Sequence, residues 1–365
     1  MLLNPEYRES LIEAIQSAFS EITFPQFTLN KPIGLTYSQT SSIYLDFPSG
    51  LGAYVDRLTG IGKLHRLINA LVQENGDNDK IKTIATQFYE FYTIVNGEPK
   101  IRTEQFTRQV VNNKSVLFIG REEFSQSLCK MVNKDIACVI GLKGERQTGI
   151  SHVHWYLSDL QVDMKCFQFT KLNLNEIGRR HPEDSVSAEH LAEIICIDLN
   201  IPFTGLKDFK MVPFLDLFRR ILREMEAKGE KWLFFIDQFD YPHKNEVKIL
   251  VQEMARIILE HPNTFYLVFS LYKDWEKEWD PVYADLVETV EFLSFSPSEV
   301  AAYLENLYQS QRVNIKVNMD RKAYLESLEG RLSTLHYNSS SGSNVPVISR
   351  ELKDWYKDLK KKIVI

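Results

Sequence analysis

The stretch from Ala137 to Gln161, ACVIGLKGERQTGISHVHWYLSDLQ, sets the terms for the rest of the chain. A short apolar run leads into a loop bounded by Gly144 and Gly149, and an amphipathic segment begins at Ser151. The pattern predicts strand, loop and helix, the context that a phosphate-binding loop of the form GxxxxGK[ST] requires. The two glycines have that spacing and Ser151 fills the last position. Ile150 stands where the lysine belongs.

At 365 residues the chain is long for one core, and two or three domains are expected. With 44% hydrophobic and 25% charged residues it has an ordinary globular composition. No apolar run approaches the ~18 residues of a membrane span, and the start, MLLNPEYRESL, lacks the basic and apolar regions of a signal peptide. A cytoplasmic protein with no membrane partner is expected. The cysteines Cys129, Cys138, Cys166 and Cys196 are widely spaced, which reads as buried free thiols rather than disulfides or a zinc site. A net charge of −6 argues against a broad nucleic-acid face, and Lys360, Lys361 and Lys362 read as a solvated helix end.

Ahead of the loop, helical spacing dominates. From Glu6 to Ser20 an apolar stripe runs through Leu11, Ile12, Ile15, Ala18 and Phe19, and a second through Leu64, Leu67, Ile68, Leu71 and Val72. That helix should stop at Asn75 and Gly76. Asp77 or Asn78 can cap a third, with Ile81, Ile84, Ala85, Phe88, Phe91 and Tyr92 as its stripe. The span from Phe24 to Leu51 predicts short helices or turns. No strand is expected before residue 95, so residues 1–95 read as a helical bundle without candidate chemistry; its lone His65 reads as structural. Residues 96–115, NGEPKIRTEQFTRQVVNNKS, read as a linker.

Beyond the loop, strands and helices alternate. Met164 to Thr170 predicts a second strand, and helices follow over Ala188 to Leu199 and Phe214 to Lys228. Lys231 to Asp240, KWLFFIDQFD, is an apolar run closing on acids; its Asp237 is the candidate magnesium ligand, directly or through water, with Asp240 completing a DxxD spacing. A helix from Lys244 to Glu260 precedes a strand from Thr264 to Leu271, which delivers Ser270 as a sensor-like polar residue, and Thr289 to Phe295 predicts a last strand. Alternation of this kind calls for a mostly parallel sheet with ligands at its carboxyl ends. Ser296 to Glu299 is a capping box that opens a helical segment within 296–337, which the resemblance given below implies to be a lid. A serine-rich linker at 338–344 separates a closing helix, 345–365. The expected fold is α plus α/β, with a helical bundle (1–95) followed after the linker by a P-loop NTPase-like sheet (116–295) and its lid.

Two resemblances sharpen this reading. RESLIEAIQSAF and GLGAYVDRLTGIGKLHRLINALVQENGDNDKIKTIATQF, in roughly the first 90 residues, resemble the effector-associated domains of bacterial conflict and defence proteins. That resemblance implies homotypic pairing with a protein partner carrying a similar helical adaptor domain. FIGRE shortly ahead of the loop, the FFIDQFD strand, the sensor-like strand and the capped lid together resemble the STAND class of signalling ATPases and their AAA-type relatives. Their order implies a nucleotide site at Gly144, Arg146, Thr148, Gly149, Ile150, Ser151, Asp237, Gln238 and Ser270, with Asp237 on magnesium.

The departures point away from turnover. Ile150 brings neither charge nor hydrogen bond to a triphosphate, and phosphoryl transfer depends on positioning and electrostatic stabilisation. Gln238 follows Asp237 where an acid would activate water, and Glu145 adds negative charge to the loop. Lys143 or Arg146 could lean in instead. The sequence therefore resembles an inactivated STAND module: a pseudo-ATPase adaptor or sensor in bacterial immunity signalling, with no catalytic residue and no required cofactor. ATP or ADP with Mg is the ligand if binding is retained, and oligomerisation stays open. The alternatives are a slow STAND ATPase switch, or a loop that never had nucleotide chemistry. His152 and His154 are two apart, so a shared metal is not expected.

Overall fold

The computed structural model describes residues 5–40, 46–106, 110–111, 116–118, 121–144, 148, 150–164, 167–180, 185–200, 210–228, 231–239, 243–262, 265–271 and 275–292. The chain divides into two compact units, one of residues 1–106 with 164–166 and the other of the remainder.

The first unit contains helices α1 (Pro5–Ala18), α2 (Thr23–Asn30), α3 (Phe47–Gly60), α4 (Leu64–Asn75) and α5 (Asp79–Phe91). Their starts are specified locally. Asp46 accepts from the Ser49 amide at 3.1 Å, with proline in the first turn of α3, and Asn78 Oδ1 accepts from the Lys80 and Ile81 amides at the start of α5. Leu11, Ile15, Tyr54, Leu58, Leu67, Ile68 and Phe88 are buried in its core. Phe24 meets the rings of Phe19, Phe27, Tyr37 and Tyr54. On the surface Arg8 forks onto Asp56 at 2.7 and 2.8 Å. His65 is buried, with Nδ1 3.1 Å from Gly62 O and its pKa lowered by burial, which is a structural role.

The expected linker is not unstructured throughout, and a strand does occur before residue 95. β1 (Tyr92–Val95) pairs antiparallel with β2 (Glu98–Ile101). The turn joins them through Asn96 at φ 53° and Gly97 at φ 79°, the pair of positive φ values that a tight hairpin turn requires and that Asn-Gly adopts most readily. Tyr92 therefore leaves the helical stripe and opens the strand. The boundary between the two units, at Phe106 and Thr107, falls inside 96–115.

The second unit begins with β3 (Val110–Val111) and β4 (Val116–Leu117), a short antiparallel pair, and continues through α6 (Glu122–Val132), β5 (Val139–Gly144), α7 (Val153–Met164), β6 (Gln168–Asn173), α8 (Leu174–Arg180), α9 (Ala188–Asp198), α10 (Met211–Lys228), β7 (Trp232–Asp237), α11 (Asn245–Glu260), β8 (Phe265–Ser270), the short helices α12 (Trp275–Glu278) and α13 (Pro281–Ala284), and β9 (Glu288–Phe292). Strands β6-β7-β8-β5-β9 form one sheet in that order, every pair parallel. β8 is buried at every position and β7 at all but its first, as expected of strands covered on both faces. The expected second strand is displaced. Val153, Tyr156, Leu157, Leu160 and Met164 form one buried helical stripe, which keeps Met164 in α7, and the strand runs on past Thr170 to Asn173 in register with Asp237.

Cys129, Cys138 and Cys196 are buried thiols outside any disulfide. No described helix is long and apolar enough to cross a membrane. The lid expected over 296–337, the linker at 338–344, the closing helix 345–365 and Cys166 lie outside the described residues. Asn78→Ala is expected to cost about 1 kcal/mol by removing the cap of α5, read as a lower urea midpoint at unchanged slope.

Candidate nucleotide site

The sheet register brings the polar residues together. Asn173 faces Asp237 across β6 and β7, and Ile236 faces Phe269 across β7 and β8, so Asp237 and Ser270 end neighbouring strands at one level. Leu142 of β5 faces Ser270 in turn. Parallel strands of an α/β unit place their ligands at this carboxyl edge.

Asp237 is 3% exposed. Oδ1 accepts from the Gln238 amide at 2.7 Å, whereas Oδ2 is buried without a hydrogen-bond partner, as is Ser270 Oγ. Burial raises the pKa of Asp237; the Gln238 amide, the nearby hydroxyls of Ser151 and Ser270 and the charge of Lys171 pull the other way and do not offset it. The amide reaches back because Gln238 has φ 66°, a left-handed conformation that costs a non-glycine residue roughly 1 kcal/mol. Gln238 Oε1 is itself buried and unpartnered.

The loop closes on Gly144. A Cβ there would lie 2.7 Å from Thr148 Oγ1, 2.8 Å from Phe292 O and 3.0 Å from Ile150 Cδ1, so only glycine fits. The same distances show that the Ile150 side chain lies back on the loop backbone. Thr148 is buried, and its carbonyl accepts from Arg121 Nη2. The Arg121 guanidinium also stands 4.5 Å from the centroid of the Phe292 ring, a cation–π contact that ties the start of α6 to the loop and to β9.

His154, in the first turn of α7, has Nδ1 2.5 Å from Ser151 O. A carbonyl only accepts, so Nδ1 carries the proton and buried Nε2 is left without a partner. Burial, followed by Lys171, lowers its pKa to about 4; burial and Arg121 lower that of His152. Both rings are neutral at pH 7. Among the described residues no cluster of three or more His, Cys, Asp or Glu side chains could hold a metal ion.

Of the residues singled out in the sequence, Ser151, Asp237, Gln238 and Ser270 meet at the sheet edge, and Gly144, Thr148 and Ile150 meet in the loop. Glu145, Arg146, Gly149 and Asp240 lie outside the described residues. Lys143 is exposed and in register with Glu291 of β9, on the strand at the far side of β5 from β7. Sequence reasoning overlooked Lys171, Asn173 and Arg121. Asn173 Oδ1 accepts from the Glu176 amide and caps α8, and Lys171 Nζ pairs with Glu176 at 2.7 Å. Placing the strand a few residues early concealed that Lys171 and Asn173 share the face of Asp237. The all-oxygen set of Asp237 Oδ2, Ser151 and Ser270 fits a hydrated magnesium ion, but the loop offers a phosphate no charge at Ile150.

Strand order, loop and acidic strand define an α/β domain of P-loop NTPase-like architecture, in which β8 separates the loop strand from the acidic one. The chain matches no protein-family model and no curated protein. Among solved structures it is similar to the Orc1 protein of Aeropyrum pernix in complex with DNA, at 15% identity and a TM-score of 0.39 over 57% of this chain and 53% of that one. Cdc6p from Pyrobaculum aerophilum matches at 16% and 0.39 over 57% and 54%, and AMPPCP-bound DnaA from Aquifex aeolicus at 8% and 0.35 over 70% of each chain. The chain spans about half the length of the first two.

Two outcomes follow from the protonation states. Ionised Asp237 is less favourable folded than unfolded, so Asp237→Asn is expected to raise the melting temperature at pH 7. His154 titrates near 4 when folded against an ordinary 6.5; the unfolded chain takes up the proton first, so stability falls as pH drops from 6.5 toward 4. His154→Gln should flatten that loss in urea titrations at pH 7 and 4.5.

Proposed function

We propose that the chain is a non-enzymatic adaptor or sensor of a bacterial defence or signalling system, whose NTPase-like domain has lost turnover. The observation that carries this reading is Ile150, whose side chain lies on Gly144 at the position from which a lysine would neutralise the phosphates. Gln238 supports it, because its amide is turned onto Asp237 and its side chain is a poor base. If a magnesium nucleoside phosphate binds, Ser151 and Asp237 hold the ion, whose chemistry is to neutralise phosphate charge. Binding would then act as a signal or a scaffold.

The helical unit supplies the pairing element. Ile22, just ahead of α2, and Leu29 within it are 76% and 70% exposed, and exposed apolar side chains can serve protein contact. The partner in this reading carries a like helical module.

Purified full-length protein is expected to release no phosphate from ATP or GTP above background, and Asp237→Ala to change nothing. Hydrolysis abolished by Asp237→Ala would show a working, slow ATPase instead. Ile22→Asp with Leu29→Asp should weaken association with a partner carrying a like module by about tenfold or more, at unchanged circular dichroism.

A further inference from the structure

Lys171 and Asp237 lie on one face of the sheet: Lys171 faces Phe235 and Asn173 faces Asp237 across β6 and β7, and side chains two apart on a strand share a face. The Lys171 ammonium does not stay at its own level. Nζ is 2.7 Å from Glu176 Oε1, and Glu176 lies in the first turn of α8, directly beyond the strand. The charge therefore already sits at the carboxyl edge. From there it acts on both Asp237 and His154, that is, on the end of the acidic strand and on the first turn of the helix that follows the loop.

Its hold on Glu176 is weak. The Glu176 side chain is 57% exposed, and ion pairs with a solvated partner contribute little. Arg121, in contrast, is 7% exposed and engaged with Thr148 and Phe292. The edge also contains two buried polar atoms without a well-formed hydrogen bond, Asp237 Oδ2 and Ser270 Oγ, on side chains 3% and 8% exposed, with the Ser151 and Ser270 hydroxyls only weakly engaged near Asp237. Buried polar atoms without partners are costly, and a bound ion with its waters would satisfy both.

We propose that this edge binds a magnesium nucleoside di- or triphosphate with Lys171, released from Glu176, as the phosphate-binding cation in place of the loop lysine. The inference rests on the reading above, in which the domain has lost turnover, and supplies the binding that this reading leaves conditional. It assigns the missing charge to β6 rather than to the loop. A lysine on a four-carbon stem suits the role, because its ammonium can exchange one anionic partner for another without moving backbone.

Calorimetry of the full-length protein with Mg·ATP and Mg·ADP tests it. The unaltered protein should bind, and Lys171→Met should weaken binding by about tenfold or more, the loss of one charge-assisted hydrogen bond. Lys171→Arg should keep most of the affinity, and Glu176→Gln, which frees the ammonium, should tighten it. Lys143→Met should leave it unchanged. Equal affinity of Lys171→Met and the unaltered protein would overturn the proposal, as would a loss that follows Lys143 instead. So would the absence of binding to millimolar nucleotide. If Lys171→Met does not fold, a Glu176→Gln affinity no tighter than that of the unaltered protein overturns it equally. Phosphate release is scored separately: hydrolysis with Lys171-dependent binding removes only the claim of lost turnover, whereas neither binding nor hydrolysis removes only this one.

Discussion

The burial of one carboxylate organises the second unit. Asp237 ends a strand that is apolar along nearly its whole length, in a sheet packed so closely that the side chain is 3% exposed. An ionised group there is unfavourable unless it is paired or hydrogen bonded, and the best-formed bond comes from the Gln238 amide, with the Ser151 and Ser270 hydroxyls nearby. That bond requires a left-handed residue immediately after the strand. A strained turn, a raised pKa and an unpartnered oxygen thus share one origin. Such combinations concentrate at functional sites, where strain persists because the surrounding packing determines it.

The loop carries the opposite kind of defect. Around Asp237 polar groups lack partners; at Ile150 a hydrophobic group has one, the backbone of Gly144. The close approach that lets a backbone cradle phosphate also lets an aliphatic side chain lie on it. Arg121 then fixes the loop from the other side through the Thr148 carbonyl. Geometry survives where packing alone maintains it. The Ile150 side chain contributes no charge to that geometry.

What the sequence disclosed follows the same division. Strands β7 and β8 were legible because full burial demands continuous apolar runs, KWLFFIDQFD and TFYLVFSL, and the α5 start was legible because a cap is a local hydrogen bond between near neighbours. The strand β6 was misplaced because MKCFQFT is apolar enough for either period, and only the burial of Leu157, Leu160 and Met164 at helical spacing decides for helix. The hairpin of β1 and β2 was hidden in a segment read as linker, although Asn96-Gly97 is a turn signal in its own right. Ser151, Asp237 and Ser270, singled out inside named motifs, do come together at the sheet edge. Lys171 was not singled out, since nothing in its local sequence distinguishes it; cross-strand register alone puts it beside Asp237.

Register also explains how a chain with isoleucine at position 150 has a charged edge. Strand order puts β6 next to β7 and β5 two strands away from β7. A cation on β6 approaches the acidic strand from the side opposite the loop, and it can do so without disturbing the Gly144 contacts that exclude a Cβ. Its present partner, Glu176, is placed by Asn173, which caps α8 through the Glu176 amide. One buried asparagine therefore fixes the start of the helix, the helix fixes Glu176, and Glu176 holds the ammonium at the carboxyl edge. A positive charge at that level lowers the cost of ionised Asp237 but leaves Oδ2 unsatisfied. The same short chain of contacts, from Asn173 to Glu176 to Lys171, thus sets the charge beside the least satisfied oxygen of the edge.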